Sequence, residues 1–194
     1  LLGLAATTTL VFAFAGEALA TEWNVSVWGK RRAFTENVEK IAELVSAKTN
    51  GEFTLNISYG GLSKAKENLD GISIGAFEMA QFCAGYHEDK NPSITVLELP
   101  FLGVDSLEKE VEVSQAVYSH PAVVADLARW NATLLMPTPM PQYNIVGVGD
   151  APKTLAGFDV LSVRAPGGIA AAMSTLVSTS TPVPAAQTRH PLGH

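Results

Sequence analysis

Residues 22–83 alternate between two hydrophobic periodicities, and this alternation limits the fold more than any other feature of the sequence. Apolar and polar residues alternate in "EWNVSVWG" and "EFTLNISYGG", as they do along half-buried strands, and "FEMAQFC" predicts a third strand. Between the strands, apolar residues recur at helical spacing from Phe34 to Val45, and a shorter helix is expected around Lys64 to Ile72. The order β-α-β-α-β predicts a largely parallel sheet covered by helices, and therefore an α/β fold.

The rest of the chain predicts further helices and strands. We expect Asp105 to cap a helix running to about Ser119, and Pro121 to open another that continues to about Trp130. "TLLMP" and "YNIVGVG" are typical of strands, and the Pro-rich "PTPMPQ" between them predicts a stiff connector between two lobes. A strand over Val160 to Arg164 and a helix beginning in "IAAAMSTLV" follow.

Composition narrows the class of protein. Of the 194 residues, 47% are hydrophobic and 16% are charged, which is typical of a packed globular protein. The net charge of −6 argues against a nucleic-acid-binding surface. Cys83 is the one cysteine, so no disulfide can form within the chain, and its place at the end of an apolar strand favours a small core residue over a reactive thiol.

Both ends of the sequence carry expectations of their own. Residues 1–20 begin with an uncharged apolar run and end in Ala18-Leu19-Ala20, a small-x-small pattern that predicts a signal peptide, part of it missing, cleaved before Thr21. We therefore expect export from the cytoplasm, and the family resemblance given below implies the periplasm as the destination. The last residues, 187–194, form an atypical tail, and we expect the fold to be truncated near residue 186.

Several motifs resemble catalytic or cofactor sequences, but their context argues against that chemistry. "GISIG" matches the G-x-S-x-G nucleophile elbow around Ser73, yet the elbow needs a strand before it and a helix after it, and here the predicted order is reversed. "GVGDAP" has Pro152 where a dinucleotide-binding loop has its third glycine. The four histidines show no metal-ligand spacing, and Glu88-Asp89 is typical of a solvated loop. We predict no catalytic residue, no cofactor, no metal site and no enzymatic activity.

The segment "LSVRAPGG" places Arg164 at the end of an apolar strand, directly before a Pro-Gly-Gly corner. Two interpretations are open: an exposed arginine beside a loop, or a clamp for a carboxylate. A planar guanidinium offers a carboxylate two parallel N–H donors, and strand ends at the mouth of an α/β cleft are where such folds bind ligands. The glycines after Pro166, beginning with Gly167, would let the backbone approach a ligand closely.

Four segments in order decide between these interpretations by resemblance. They are "FTENVEKIAELVSAKTNGEFTLNIS", "GGLSKAKENLDGISIGAFEMAQ", "PSITVLELPFLG" and "KTLAGFDVLSVRAPGG". Together they resemble the extracytoplasmic solute-binding proteins of tripartite ATP-independent periplasmic (TRAP) transporters, the DctP-type family, over about residues 21–186. The last segment is similar to the family's arginine segment.

The resemblance implies a two-lobed, periplasmic-binding-protein-like α/β fold with the ligand in the cleft between the lobes. The first lobe is expected over 21–141 and an incomplete start of the second lobe over 142–186. The implied function is capture of a small organic acid and its delivery to the membrane permease subunits, with no chemistry by the binding protein itself and no membrane-spanning segment in its mature form. Arg164 is implied as the carboxylate partner.

Further ligand-binding candidates follow from position. Asn144 stands about where some relatives carry a second arginine, which favours a ligand with one carboxylate or a neutral hydrogen-bonding end. Trp28 and Tyr86 follow predicted strands, and for both aromatic rings packing is an equal alternative. Two other functions stay open: a non-functional truncated fragment of such a protein, or a secreted hydrolase using Ser73.

Overall fold

A computed structural model of the chain describes residues 20–99, 102–140, 143–165, 167–176 and 179–181. The predicted signal peptide up to Leu19 and the predicted tail lie outside these residues. The described helices and strands are, in chain order, β1 (Thr21–Val27), α1 (Glu36–Lys48), β2 (Phe53–Tyr59), α2 (Asn68–Ser73), β3 (Met79–Gln81), α3 (Leu107–Tyr118), α4 (Pro121–Ala128), β4 (Ser162–Arg164), α5 (Gly167–Met173) and β5 (Thr179–Thr181). Short 3₁₀ turns cover Ala33–Thr35, Ala84–Tyr86, Pro92–Glu98 and Leu155–Phe158. No described helix is long and apolar enough to cross a membrane.

The first sheet is parallel, as predicted, and β1 is its central strand. The strand order is β2-β1-β3, with Val25 of β1 opposite Ile57 of β2 on one side and Met79 of β3 on the other. Val25 and Val27 are completely buried and pack with Val38 of α1. Because the strands are parallel, the carboxyl ends of β1 and β3 lie at the same edge of the sheet, where α/β folds bind ligands.

A buried polar network precedes α2 and delays its start. The helix predicted from about Lys64 begins at Asn68, whose side-chain amide donates to the Gln81 carbonyl at 2.8 Å. The Asn68 side-chain oxygen accepts from the Ser63 hydroxyl at 3.2 Å, and Ser63 lies 2.7 Å from the Ser26 hydroxyl in β1. These bonds fix the loop before α2 against the sheet in a non-helical path, and β3 covers only the middle of "FEMAQFC".

Helices α3 and α4 lie close to their predicted positions, with a correction at one terminus. Ser106, and not Asp105, caps α3, because its hydroxyl oxygen accepts the Lys109 N–H at 3.2 Å. Serine and aspartate satisfy the same backbone donor at this position, so adjacent candidates are hard to separate from sequence. Helix α4 ends at Ala128, slightly before the predicted Trp130.

The two strands predicted in "TLLMP" and "YNIVGVG" are wrong. Residues 131–140 and 143–149 contain no helix or strand in the described structure. In the second segment Val146 is 86% exposed and Val148 is 81% exposed. A strand forms only beside a partner that satisfies its backbone groups and covers one face, and no described strand pairs with either segment.

A small second sheet follows, in which β4 and β5 pair in parallel around α5. Ala165 and Met173 are its buried core, and partly buried apolar side chains pack against them: Phe158, Leu161, Val163, Ile169 and Ala170. Strand β4 begins at Ser162, later than predicted, since Val160 is 82% exposed. Strand β5 lies in a segment for which no strand was predicted.

The main apolar core predicts a sharp contrast between neighbouring valines of α4. Val123 is 2% exposed and packs with Leu69, Ile94 and Leu127, whereas Val124 is 54% exposed. Val123→Ala should lower the free energy of unfolding by about 2 kcal/mol, through lost burial and the cavity left behind. Val124→Ala, the matched control, should change it by less than about 0.5 kcal/mol. Urea unfolding followed by circular dichroism measures both, and equal effects would contradict this packing.

Candidate functional site

The carboxyl ends of β1 and β3 bring two predicted aromatic residues together. Trp28 directly follows β1 and is 8% exposed, and Tyr86 closes the 3₁₀ turn after β3. Their rings meet edge to face with centroids 6.0 Å apart. On its other side the Trp28 ring packs against Phe34 at 4.9 Å. The two candidates therefore share one aromatic cluster, and the alternative that Trp28 serves in packing is consistent with its burial.

Arg164 reaches this cluster from the second sheet. It ends β4 and is half-buried, and its Nη2 donates a hydrogen bond to the Tyr86 hydroxyl at 2.9 Å, across 78 residues of sequence. The structure thus connects three predicted site residues, Trp28, Tyr86 and Arg164, through direct contacts that link the two sheets. This bond fixes the orientation of the guanidinium at the aromatic cluster.

The other predicted site residues lie nearby in sequence but differ in what the structure describes. Asn144 is exposed in the segment 143–149, which is not a strand. Gly167 is the first residue of α5. Pro166 lies outside the described residues.

The sequence analysis missed a second arginine in the aromatic cluster. The Arg32 guanidinium lies 5.1 Å from the Trp28 ring centroid and 5.3 Å from that of Phe34, within the range of a cation–π contact. Its Nη1 also donates to the carbonyls of Trp28 and Lys30 at 2.8 and 2.7 Å. The basic run that follows β1 was the available signal. Arg32 makes the edge of the first sheet more positive than the acidic sequence suggests.

Glu98 was also missed, and it lies directly behind the turn that carries Tyr86. It ends the 3₁₀ turn Pro92–Glu98, and its Oε1 accepts the Gly85 N–H at 2.6 Å. The Cys83 thiol lies 3.7 Å from the same oxygen. Cys83 itself is partly buried, and burial raises the pKa of its thiol to about 12, which is consistent with the predicted unreactive role.

A large cavity of about 1520 Å³ lies beside β3. Its wall includes β3, the segment 131–140, part of α3 and the side chains of Cys83 and Glu98, but not Trp28, Tyr86 or Arg164. Its volume exceeds the range typical of small-molecule sites. Near it, the buried Gln81 amide donates to the Phe34 carbonyl at 2.7 Å. Trp28, Tyr86 and Arg164 thus lie outside the wall of this cavity.

The geometry around Ser73 does not form a nucleophile elbow. Ser73 is the last residue of α2, and its hydroxyl donates to the Asp70 carbonyl at 2.8 Å. A helix therefore precedes the motif and β3 follows it, the reverse of the order in hydrolases. Among the described residues, no group of three or more His, Cys, Asp or Glu side chains is placed to hold a metal ion.

His87 is the most strongly perturbed histidine near the site. It follows Tyr86, is fully buried and packs edge to face against Phe82 at 5.6 Å. Burial, with a smaller contribution from the positive charge of Lys90, lowers the pKa of its imidazole from 6.5 to about 4. The folded state therefore holds His87 neutral at pH values where the unfolded chain binds a proton.

This burial predicts a pH dependence of stability. Because the folded pKa is depressed, the contribution of His87 is fully present above about pH 6.5 and is lost as pH falls toward 4. The loss is at most about 3 kcal/mol, from 1.36 kcal/mol per pKa unit. Urea unfolding across this pH range should show that the free energy of unfolding of the parent falls as pH falls, and that it falls less steeply in His87→Leu. His120→Asn, at the exposed start of α4, is the control and should keep most of the pH dependence of the parent. If His87→Leu has the same pH dependence as the parent, His87 is not its source.

Solved structures that are similar to this chain define the class of fold. A Bordetella pertussis extracytoplasmic solute receptor that binds pyroglutamic acid aligns with a TM-score of 0.69 and 21% identity, over 84% of this chain and 54% of that one. A TRAP periplasmic solute-binding protein of Desulfovibrio salexigens, in complex with diglycerolphosphate, aligns with a TM-score of 0.61 and 15% identity, over 87% and 55% of the two chains. The predicted two-lobed α/β fold is confirmed, and the chain spans about half the length of these structures.

Sequence similarity gives the family. The sequence profile of the bacterial extracellular solute-binding proteins, family 7 (DctP), matches residues 25–136, which is more than half of the chain. The chain belongs to this family, as the four segments indicated. No curated protein sequence matches it. The predicted lobe boundaries and the ligand-binding roles of individual residues stay predictions.

Proposed function

We propose that this protein is a periplasmic receptor that captures a small organic acid and delivers it to the membrane subunits of a TRAP transporter. The observation that carries the proposal is the hydrogen bond between Arg164 and the Tyr86 hydroxyl. It joins a cation from the second sheet to an aromatic cluster at the ligand-binding edge of the first sheet. The receptor itself carries out no chemical step.

Carboxylate recognition follows from the chemistry of this cluster. The guanidinium of Arg164 can form charge-assisted, bidentate bonds with a carboxylate, and its bond to the Tyr86 hydroxyl orients it at the aromatic cluster. Arg32 adds positive charge beside Trp28. The Bordetella pertussis receptor binds pyroglutamic acid, and a TRAP periplasmic solute-binding protein of Pseudoalteromonas atlantica was solved with bound sodium and pyruvate. Both of these compounds carry one carboxylate, whereas the Desulfovibrio salexigens protein was solved with diglycerolphosphate.

We further propose that the ligand carries a single carboxylate, with a neutral end that accepts or donates hydrogen bonds. Asn144, predicted at the position of a second arginine in some relatives, would contact that neutral end. Gly167, the first residue of α5, would let the backbone approach the ligand closely because it has no side chain, and Pro166 before it would lie beside the ligand. Trp28 and Tyr86 would form the apolar wall beside it.

The test is a change of charge and shape at Arg164. Arg164→Ala and Arg164→Lys should each weaken carboxylate binding at least tenfold, about 1.4 kcal/mol, because lysine cannot reproduce the bidentate geometry. Isothermal titration with pyroglutamate, pyruvate and a panel of mono- and dicarboxylates measures the affinity.

Arg129→Ala is the control, since that exposed arginine pairs with Asp126 on α4, donates to the Lys90 carbonyl and is not a member of the aromatic cluster. It should leave affinity unchanged. Wild-type affinity in both Arg164 variants would refute the carboxylate role. A folded parent chain that binds no member of the panel would instead favour the alternative of a fragment without binding function.

A further inference from the structure

We propose that Glu98 is a positioning residue of the ligand site: its carboxylate fixes the turn Ala84–Tyr86 so that the Tyr86 hydroxyl faces the Arg164 guanidinium. The inference rests on the proposed function, because it assigns a task within the same site. Glu98 belongs to a different 3₁₀ turn, 12 residues further along the chain than Tyr86, and it is not one of the predicted ligand residues.

The contact between Glu98 and the turn is close and specific. Oε1 accepts the Gly85 N–H at 2.6 Å, and the Cys83 thiol lies 3.7 Å from the same atom. The Tyr86 N–H donates to the Cys83 carbonyl at 3.0 Å, so the turn is closed on one side by its own backbone and on the other by Glu98. A charge-assisted bond to a backbone N–H is among the stronger hydrogen bonds in proteins.

Gly85 makes this arrangement possible. A Cβ built at position 85 would lie 2.2 Å from Oε2 of Glu98 and 2.9 Å from Oε1, closer than atoms can approach. The Gly85 backbone does not have a positive φ, so a side chain at 85 would be opposed by the position of the Glu98 carboxylate and not by backbone conformation. The carboxylate and the missing side chain therefore form one fitted unit, and a larger residue at 85 would displace Glu98.

Burying the Glu98 carboxyl is energetically unfavourable, which is unusual for a residue that serves only the stability of the fold. Burial raises the pKa of the Glu98 carboxyl, while the Gly85 N–H bond acts in the opposite direction. Oε2 is buried without a hydrogen-bond partner among the described residues. An apolar side chain would avoid this desolvation, but it could not accept the Gly85 N–H next to Tyr86. A perturbed carboxyl beside a ligand-binding cluster is typical of a functional site.

The consequence for Arg164 passes through Tyr86. The Tyr86 ring is held from one side by Trp28, and its hydroxyl accepts from Arg164 at 2.9 Å. If the turn shifts, the hydroxyl moves relative to a guanidinium that is anchored on β4. Glu98 therefore acts on ligand affinity only as long as the Tyr86 hydroxyl is present, and this gives the experiment its discriminating power.

The experiment is a double-mutant cycle of four chains, the parent, Glu98→Ala, Tyr86→Phe and the double variant, to which two further single variants are added. Titration with pyroglutamate and pyruvate should show Glu98→Ala weakening binding about fivefold to tenfold in the parent. In the Tyr86→Phe background it should cost less than about twofold, because coupled residues give non-additive effects. Glu98→Gln, which keeps an acceptor oxygen, should recover most of the affinity. Glu108→Gln, an exposed glutamate in the first turn of α3, is the matched control and should have no effect.

A second test uses the steric fit. Gly85→Ala should weaken binding in the parent and have little further effect in Glu98→Ala, where the clashing oxygens are gone. Full additivity in either cycle would overturn the positioning role, since a residue that only stabilises the fold would lower affinity equally in both backgrounds. If the parent binds a carboxylate and Glu98→Ala binds it with the same affinity, the positioning role is also overturned, while the proposed function stands.

A readout that needs no ligand keeps the two proposals separate. In protein labelled with ¹³C at the tyrosine ring, the Tyr86 resonance is assigned by its loss in Tyr86→Phe. Arg164→Lys should shift this resonance, and Glu98→Ala should shift it in the same direction, whereas Glu108→Gln should not. If the parent binds no carboxylate but these shifts occur, the proposed function fails and the positioning contact stands. An unshifted resonance in Glu98→Ala refutes the inference.

Discussion

The parallel pairing of β1 with a strand on each side is the constraint on which the rest of the structure depends. Val25 pairs with both Ile57 and Met79, and the burial of the strand's centre fixes this register, because a slip by one residue would turn its valines to the opposite face. The carboxyl ends of β1 and β3 then lie at one edge. Trp28 and Tyr86 are neighbours because the strands that precede them are parallel.

The contact with Arg164 depends on that edge in turn. A tyrosine hydroxyl can orient a guanidinium only if its turn has a fixed position. Here Trp28 supports the ring, and Glu98 holds the Gly85 amide behind it. The site is therefore built in layers: a buried sheet, an aromatic cluster at its end, and a cation from the second sheet resting on that cluster. Each layer limits the movement of the next.

The sequence was most informative where the secondary structure follows from local periodicity. Alternating apolar residues identified β1 and β2, and the rule that ligands bind at strand ends selected Trp28, Tyr86 and Arg164, which the structure connects. It was least informative where an outcome depends on distant partners. The segment 143–149 has strand composition, but no described strand pairs with it, and it forms no strand. Glu98 and Arg32 were not predicted as site residues because tertiary packing determines their partners, and no spacing in the sequence indicates that packing.

The proposed site carries positively charged side chains although the net charge of the chain is negative, and this difference has a physical basis. The chain carries a formal charge of −6, yet screening at physiological salt acts over about 8 Å, so a ligand at the sheet edge responds mainly to nearby groups. Nearby are Arg164, which donates to the Tyr86 hydroxyl, Arg32, which donates to backbone carbonyls, and the Glu98 carboxyl, which is bound to the Gly85 N–H. A carboxylate in place of the Tyr86 hydroxyl would neutralise Arg164 and compete with an acidic ligand. The phenol orients the cation without adding a carboxylate that would compete with the proposed acidic ligand.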